Sequence, residues 1–350
     1  MAGLVDEVVV VDTGSSDRSR EIASAHGARV SDYRWRDDFA AARNYALDQA
    51  VGDWILYIDA DERLRPYDRQ KMQAELADPD LCACTVRFYP QTGFTAYREH
   101  RLFRRNPGIR FRSAIHETML PDLNRIVSAG KGRIGRSGLT IDHLGYDGNQ
   151  SRKAERNLPL LQHQVAADPG RTYLWWHLGA VYRELGRLAE AQAAWWQGVE
   201  TARRSMVPGP VDTLCFIELA KLRLLGGQEA LELVYEARRW HRGNLLLDWL
   251  EAQALVAAGR YAEAMEIFAH LARIDARSLV ADLSYDRRIL GAWAFAEMGY
   301  CAFRMGHYLE SENWYRHAEA LEPDCLEFRV KRLLASKRAA DTRLGLASEP

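Results

Sequence analysis

The sequence is poor in several features that would fix a function class at once. Cysteine is scarce: five residues, Cys82, Cys84, Cys215, Cys301 and Cys325, an odd and scattered set without a Cys-x-x-Cys pair. That excludes a disulfide framework or a zinc ribbon, and the thiols are expected to be reduced. Charge of one sign is also missing. A net charge of −1 over 350 residues argues against a general nucleic-acid binder, which needs a basic face for the phosphate backbone. No apolar run approaches the ~18–20 residues needed to span a bilayer, and the N-terminus lacks the basic-then-apolar order of a secretory signal. The expectation is a cytoplasmic protein without a transmembrane segment, with peripheral contact at the inner membrane face as the alternative. The length suits two domains, or one domain and a repeat array.

What is present is concentrated in Trp54-Ile55-Leu56-Tyr57-Ile58-Asp59-Ala60-Asp61-Glu62, an apolar strand running into two carboxylates at i and i+2. A hard ion such as Mg²⁺ or Mn²⁺ takes oxygen ligands and leaves positions open for substrate phosphates. Alone, Asp-x-Asp is weak, because acidic residues also form ordinary turns at strand ends. Its neighbours strengthen it. Glu7-Val8-Val9-Val10-Val11-Asp12-Thr13-Gly14-Ser15-Ser16-Asp17 reads as a parallel strand covered on both faces, a small-residue turn and a helix start. Ser16 or Asp17 caps a helix over Arg18–His26, which Gly27 stops. Ligands bind beyond the carboxyl ends of strands in open α/β sheets, so Asp12 and Asp59 are expected on one rim. A strand at Arg29–Ser31 and a helix at Phe39–Ala50 carrying Arg43 and Asn44 complete the order. Leu81–Tyr89 alternates as a further strand.

In this order VVVVDTGSSD, AAARNYAL and GDWILYIDADE resemble the family-two inverting glycosyltransferases of GT-A fold, over roughly residues 3–160. The resemblance implies that Asp12 bonds the nucleotide base and that Asp59 and Asp61 hold a divalent metal, Mn²⁺ or Mg²⁺, with the diphosphate of a nucleotide-sugar donor. Family members open with one more strand, an Asn-Glu pair and a helix. Here Met1–Asp6 reads as the end of that helix, so about one βα unit is expected to be missing ahead of the valine strand, and with it part of the nucleoside pocket.

From Arg171 the composition changes to long helices. Trp175, Leu178, Gly179, Tyr182, Gly186, Ala191 and Trp195 follow the tetratricopeptide spacing, as do Gly299, Gly306, Tyr315, Ala318 and Pro323. Gly259–Ala264 with Phe268, and Leu225-Gly226-Gly227 with Ala230, give weaker copies. Met206-Val207-Pro208-Gly209-Pro210 reads as a break between repeats. The Trp-rich helices are expected to be core rather than sugar platforms. His143-Leu144-Gly145-Tyr146 and Lys153 with Arg156-Asn157-Leu158 resemble the joint between transferase and repeats. The expected organisation is an α/β GT-A domain over 1–150 lacking its first βα unit, a connecting helix over 151–170, all-α tetratricopeptide-like repeats over 171–335 and a tail over 336–350.

Several residues are site candidates. Arg43 either neutralises phosphate or makes a salt bridge across its helix. Arg101-Leu102-Phe103-Arg104 lies in an arginine-rich run that reads either as a solvated face or, by resemblance, as a strand beside the acceptor cleft, where a guanidinium such as that of Arg101 meets diphosphate or an anionic acceptor. Inverting transfer needs a carboxylate to take the acceptor's proton. Glu117 fits by type and by family position, with Asp142 and Asp122 as rivals and His116 to orient it. Glu62 is expected to act through its neighbours. His143 either completes the metal shell or is structural.

The function expected from these readings is metal-dependent inverting transfer of a sugar from a nucleotide diphosphate to a peptide, glycan or lipid-linked acceptor. The repeats would dock the acceptor or a protein partner, and no nucleic acid is expected as partner. Two other classes compete. One is a repeat-based binding module with a degenerate or truncated transferase half. The other is a haloacid-dehalogenase-type phosphatase using Asp59 and Asp61, disfavoured by Arg63 where that motif wants Thr or Val.

Overall fold

The computed structural model describes residues 3–144, 150–206 and 209–344. Gly145–Asn149 of the predicted joint and Val207-Pro208 of the predicted break lie outside them. The chain forms two units, one of Met1–Thr92 with Ala96–Ala191 and one of Gly93–Thr95 with Gln192–Pro350.

The first unit begins with a βαβ element. Strand β1 (Val9–Asp12) is followed by α1 (Ser19–Ala25) and β2 (Arg29–Asp32). The two strands pair in parallel, Val9 opposite Arg29 and Asp12 opposite Asp32. The valine run differs from the expected strand covered on both faces, since Val9, Val10 and Val11 are only half-buried. The reason lies in the pairing: among the described residues β1 bonds β2 and no second strand.

Helix α2 (Phe39–Gln49) starts on Asp38, whose carboxylate accepts from the Ala41 amide at 2.9 Å. After it come β3 (Trp54–Leu56), β4 (Glu62–Leu64), α3 (Arg69–Leu76), β5 (Leu81–Tyr89), β6 (Ala96–Arg104), α4 (Leu120–Ser128) and β7 (Arg133–His143). The strands form a mixed sheet in the order β3-β6-β5-β7-β4. Among these neighbours only β5 and β7 run parallel, with β6 and α4 between them in the chain; the others are antiparallel. Strand β5 is hydrophobic almost throughout because both its faces are covered. One face packs Cys84, Val86 and Phe88 against Leu102, Leu139 and Ile141. The other packs Cys82 and Ala83 against Phe103, Phe111, Met119 and Leu123. Gly138 has a packing reason to be glycine, since a Cβ there would lie 2.2 Å from the Tyr67 hydroxyl. The unit continues through α5 (Gln150–Ala167) and α6 (Thr172–Glu184); α7 follows at Leu188–Arg203.

The second unit is helical: α8 (Leu214–Leu225), α9 (Leu231–Trp240), α10 (Leu245–Ala257), α11 (Tyr261–Ala272), α12 (Ala292–Arg304), α13 (Tyr308–Leu321) and α14 (Leu326–Arg343). Three of its turns share one mechanism. Gly259 adopts φ 75°, its amide bonds the Val256 carbonyl at 3.0 Å and the Arg260 amide bonds Leu255 at 2.8 Å, which is the Schellman arrangement for ending a helix. Gly306 repeats it. In the α8–α9 turn the left-handed residue is Gly227, at φ 65°, while Gly226 is the preceding cap. Gly299 lets α12 approach α13: a Cβ there would meet the Tyr315 ring at 3.0 Å. Trp195 and Trp249 are buried, whereas Trp175, Trp176, Trp196, Trp240, Trp293 and Trp314 are half-buried. The predicted tail is different in structure. Helix α14 continues to Arg343 because Ala335 and Ala339 are small enough to bury one of its faces.

Candidate active site

The residues after β3 turn back tightly. The Glu62 amide donates to the Asp59 carbonyl at 3.0 Å, and the Glu62 carboxylate accepts from the Asp59 amide at 2.8 Å. This reciprocal turn presents Asp59 and Asp61 outward while burying Glu62, whose side chain is 1% exposed. Burial pushes the Glu62 carboxyl above the usual carboxylate range, with Arg101 opposing it.

Arg43 connects this turn to the loop carrying Glu117. One Nη bonds Asp59 Oδ1 at 2.6 Å and Nε bonds Glu117 Oε1. Burial disfavours its charge, but Asp59 and Glu117 outweigh that and raise its pKa. Its neighbour Asn44 explains the placement. The Asn44 amide both donates to the Phe111 carbonyl and accepts from the Phe111 amide, each at 2.9 Å, tying α2 to the strand-like segment that leads into Glu117. Asn44 therefore holds Arg43 in register.

Arg101 differs from the open, phosphate-facing guanidinium expected of it. It is buried, pairing Glu62 at 2.7 Å and Glu99 at 2.5 Å, with Asp59 at 3.8 Å. Tyr57 lies between the two guanidiniums, 4.6 Å from Arg101 and 5.1 Å from Arg43 measured to the ring centroid. Burial raises its hydroxyl pKa, keeping the ring neutral and suited to cation–π contact.

Asp61 and His143 form a second pair. The β4–β7 register sets Glu62 opposite His143, which brings the preceding Asp61 carboxylate to 3.3 Å from His143 Nε2. The other ring nitrogen lies 3.1 Å from the Pro90 carbonyl, as an outer partner orients a ligating imidazole. Asp61 is 47% exposed. Asp59, expected in the same ligand set, is turned to Arg43 instead. Among the described residues no three His, Cys, Asp or Glu side chains converge on a metal position. Asp61 and His143 thus supply two donors, an exposed carboxylate and an oriented imidazole.

Asp12 makes none of the ion pairs in this network among the described residues. Its carboxylate accepts from the Gly14 and Ser15 amides of its own turn, each at 3.1 Å, and the bonds to Ser15 lead in holding its pKa low.

Both rival carboxylates are engaged elsewhere. Asp142 receives two bonds from Arg65, each 2.7 Å. Asp122 is buried at 3% side-chain exposure and is held by Arg112 and Arg125 at 2.8 Å and by the Arg110 amide at 3.1 Å. Burial raises its pKa, but these donors overcome that and lower it. Its stabilisation is therefore complete above the unfolded pKa and lost as pH falls through the lower folded value. Asp122→Asn is expected to cost about 2 kcal/mol at pH 7 in urea unfolding, less than for a fully buried pair because both guanidiniums are exposed. A variant as stable as the parent would contradict the assignment.

The Glu117 loop is closed at its base by reciprocal Arg112 and Thr118 amide bonds of 2.9 and 3.0 Å. Within it Ser113 and His116 sit at φ 80° and 52°, a left-handed conformation that costs of order 1–3 kcal/mol for residues other than glycine. Arg171 of the α5–α6 connection holds both, donating to Ser113 Oγ at 3.0 Å and to the His116 carbonyl at 3.1 Å. Rather than touching Glu117, the His116 ring stacks on His177 of α6, with centroids 3.3 Å apart, and Tyr173 packs edge-on against both. His177 Nε2 is buried without a hydrogen-bond partner among the described residues. Arg171, Tyr173 and His177 were missed by sequence reasoning, which took them as repeat helix; only the departure of polar His177 and Arg171 from an apolar repeat pattern hints at them.

Burial, aided by Arg171, lowers His116 to about 4. Burial, His116 and Arg171 also lower His177. The unfolded chain thus binds protons below about 6.5 that the folded loop refuses, so stability is full above that pH and falls on acidification towards 4. A drop from 6.5 to about 4 corresponds to about 3 kcal/mol for His116. Urea unfolding at pH 7.5 and 5 is expected to show this loss, and His177→Leu to reduce it; an equal slope in the variant would rule the stack out as its source.

Comparisons with known proteins define the class. Residues 2–131 match the family model described as glycosyl transferase family 2. That segment is a family 2 glycosyltransferase domain, and Arg171 and α6 lie beyond it. The chain is 37% identical over 212 residues to a TPR repeat-containing protein of Synechococcus elongatus, covering 57% of this chain and 51% of that protein. It is 27% identical over 179 residues to the SPbeta prophage-derived glycosyltransferase SunS of Bacillus subtilis, covering 47% of this chain and 40% of SunS. The chain thus spans about half the length, or less, of these curated relatives. Among solved structures, YrrB, a TPR protein with an unusual peptide-binding site, aligns at 17% identity and a TM-score of 0.40, over 54% of this chain and 86% of that one. No helix of the described residues is long and apolar enough to cross a membrane.

Proposed function

We propose that the protein is a metal-assisted inverting glycosyltransferase that moves a sugar from a nucleotide diphosphate to a hydroxyl or thiol of a peptide, glycan or lipid-linked acceptor, with the helical unit holding the acceptor or a protein partner. The observation that carries the reading is Arg43, shared between Asp59 beside the Asp61–His143 pair and Glu117 on the opposite loop. A donor diphosphate arriving at the turn competes for the Arg43 guanidinium, which exchanges a carboxylate for phosphate oxygens. Glu117, released from that ion pair, accepts the acceptor's proton as the nucleophile attacks the anomeric carbon. The new bond forms on the face opposite the diphosphate, the sugar–oxygen bond breaks, and its electrons leave with the diphosphate. Asp61 and His143 would hold a divalent ion, which supplies positive charge to the leaving group. Tyr57 keeps Arg43 and Arg101 apart at fixed distances, and Asp59 aligns Arg43 until the donor enters.

A second reading, a repeat-based binding module with an inactive transferase half, is favoured by the two-donor metal set and by Asp12 being turned onto its own loop. The two are separated by thermal stability with a panel of nucleoside diphosphates, with and without Mn²⁺. A Mn²⁺-dependent rise for one nucleotide, a few degrees at ~100 times its Kd, that disappears in Asp61→Asn is expected. Absence of any shift in the parent would favour the binding module.

A further inference from the structure

The face of the mixed sheet that carries Thr85 holds three arginines that form no ion pair among the described residues. Arg87 on β5 stands directly opposite Arg98 on β6, and Arg136 on β7 stands opposite Thr85, two residues before Arg87. Side chains on one strand face alternate, so the register brings Arg87, Arg98 and Arg136 to the same side. The Arg98 guanidinium reaches across β5, donating to the Thr85 carbonyl at 3.2 Å and to the Ser137 carbonyl at 2.7 Å. It is thereby fixed between the other two. Arg87 and Arg98 are half-buried and Arg136 is exposed.

Like charges directly opposed across a sheet are destabilising, and among the described residues no ion pair offsets them here. Burial first, then Arg87 and Arg136, push the Arg98 pKa down, and the carboxylate opposing this is Glu75. Glu75 is already committed to the Tyr67 hydroxyl, the Ser137 hydroxyl and the Gly138 amide. Arg87 and Arg136 take part in no ion pair among the described residues, and Arg87 Nε is buried without a hydrogen-bond partner. This is strain without a folding reason, in contrast to Arg43 and Arg101, which are paired with carboxylates.

We propose that Arg87, Arg98 and Arg136 form an anion site, separate from the Arg43–Asp59–Glu117 network, that takes a phosphoryl dianion, either free phosphate or a phosphomonoester. Three guanidiniums exceed what one carboxylate would neutralise. Their planar forks suit the several oxygens of phosphate, and Arg98 is pre-positioned by its two backbone bonds. The inference does not depend on the transferase reading.

The test is melting temperature against inorganic phosphate at constant ionic strength, with acetate as control. Phosphate is expected to raise the parent's melting temperature by ~2–4 °C near saturation. Arg136→Gln, at an exposed position, is expected to lose at least half of that shift and to be no less stable than the parent without phosphate, because a like charge has gone. Arg43→Gln is expected to keep the full shift, which separates this site from the candidate active site. Phenyl phosphate alongside distinguishes the sources: an equal shift assigns a monoester, a shift with phosphate alone assigns the free ion. The proposal is overturned if the parent shows no phosphate-specific shift, if Arg136→Gln keeps it, or if Arg43→Gln abolishes it.

Discussion

Glu117→Gln is expected to lower kcat by roughly 10²–10⁴-fold, the usual contribution of a positioned general base, while leaving donor affinity within a few-fold of the parent. The substitution retains shape and hydrogen-bonding capacity but cannot accept a proton, so the loss reports the chemical step. Glu117 sits on Arg43 in the free protein, and its replacement frees that guanidinium for phosphate, so donor binding is expected to hold or tighten. Steady-state rates at saturating donor, with donor affinity measured separately, check both parts. A variant with undiminished kcat would move the base elsewhere, and neither Asp142 nor Asp122 is free of strong partners to take the role.

Arg171→Ala is expected to produce the second large effect, at a residue outside the family 2 match. Two left-handed residues lose the donor that fixes them, the hydroxyl of Ser113 and the carbonyl of His116 together, and the Glu117 loop gains alternatives without strain. A fall in kcat of ten-fold or more is expected, because a misplacement of about 1 Å can cost 10²-fold, with donor KM little changed. Arg171→Lys is not expected to rescue, since one ammonium does not reproduce a two-pronged fork. Adding Ser113→Gly to the alanine variant relieves the backbone cost and is expected to recover stability without recovering kcat. Recovery of both would show that Arg171 acts on folding alone.

Much of the first unit was legible because its signals are local. The helix from Phe39, the alternation of Leu81–Tyr89 and the apolar strand from Trp54 are each set by a few adjacent residues, and the structure has a helix at Phe39–Gln49 and strands at Leu81–Tyr89 and Trp54–Leu56. Gly259 and Gly306 likewise marked helix ends through their own backbone freedom. The contacts that organise the candidate site are non-local. Arg43 meets Glu117 across 74 positions of sequence, and Arg171 meets Ser113 across 58; no periodicity encodes such pairs. Arg101 reads in sequence as one member of a basic run, yet lies buried among Glu62, Glu99 and Tyr57, carboxylates and a ring that the run itself does not reveal. Asp12 illustrates the reverse case. Its type and position suit ligand binding, and its geometry is that of a turn-forming aspartate.

The central claim is sugar transfer at the Arg43–Asp59–Glu117 network, and release of nucleoside diphosphate tests it most directly. The protein would be incubated with Mn²⁺ and a panel of nucleotide sugars, each with and without a peptide or glycan acceptor, alongside Glu117→Gln. The account predicts acceptor-stimulated release of one nucleoside diphosphate that falls at least 10²-fold in the variant. Release that is equal in parent and variant, or absent across the panel while the folded protein still binds a peptide through its helical unit, would contradict it.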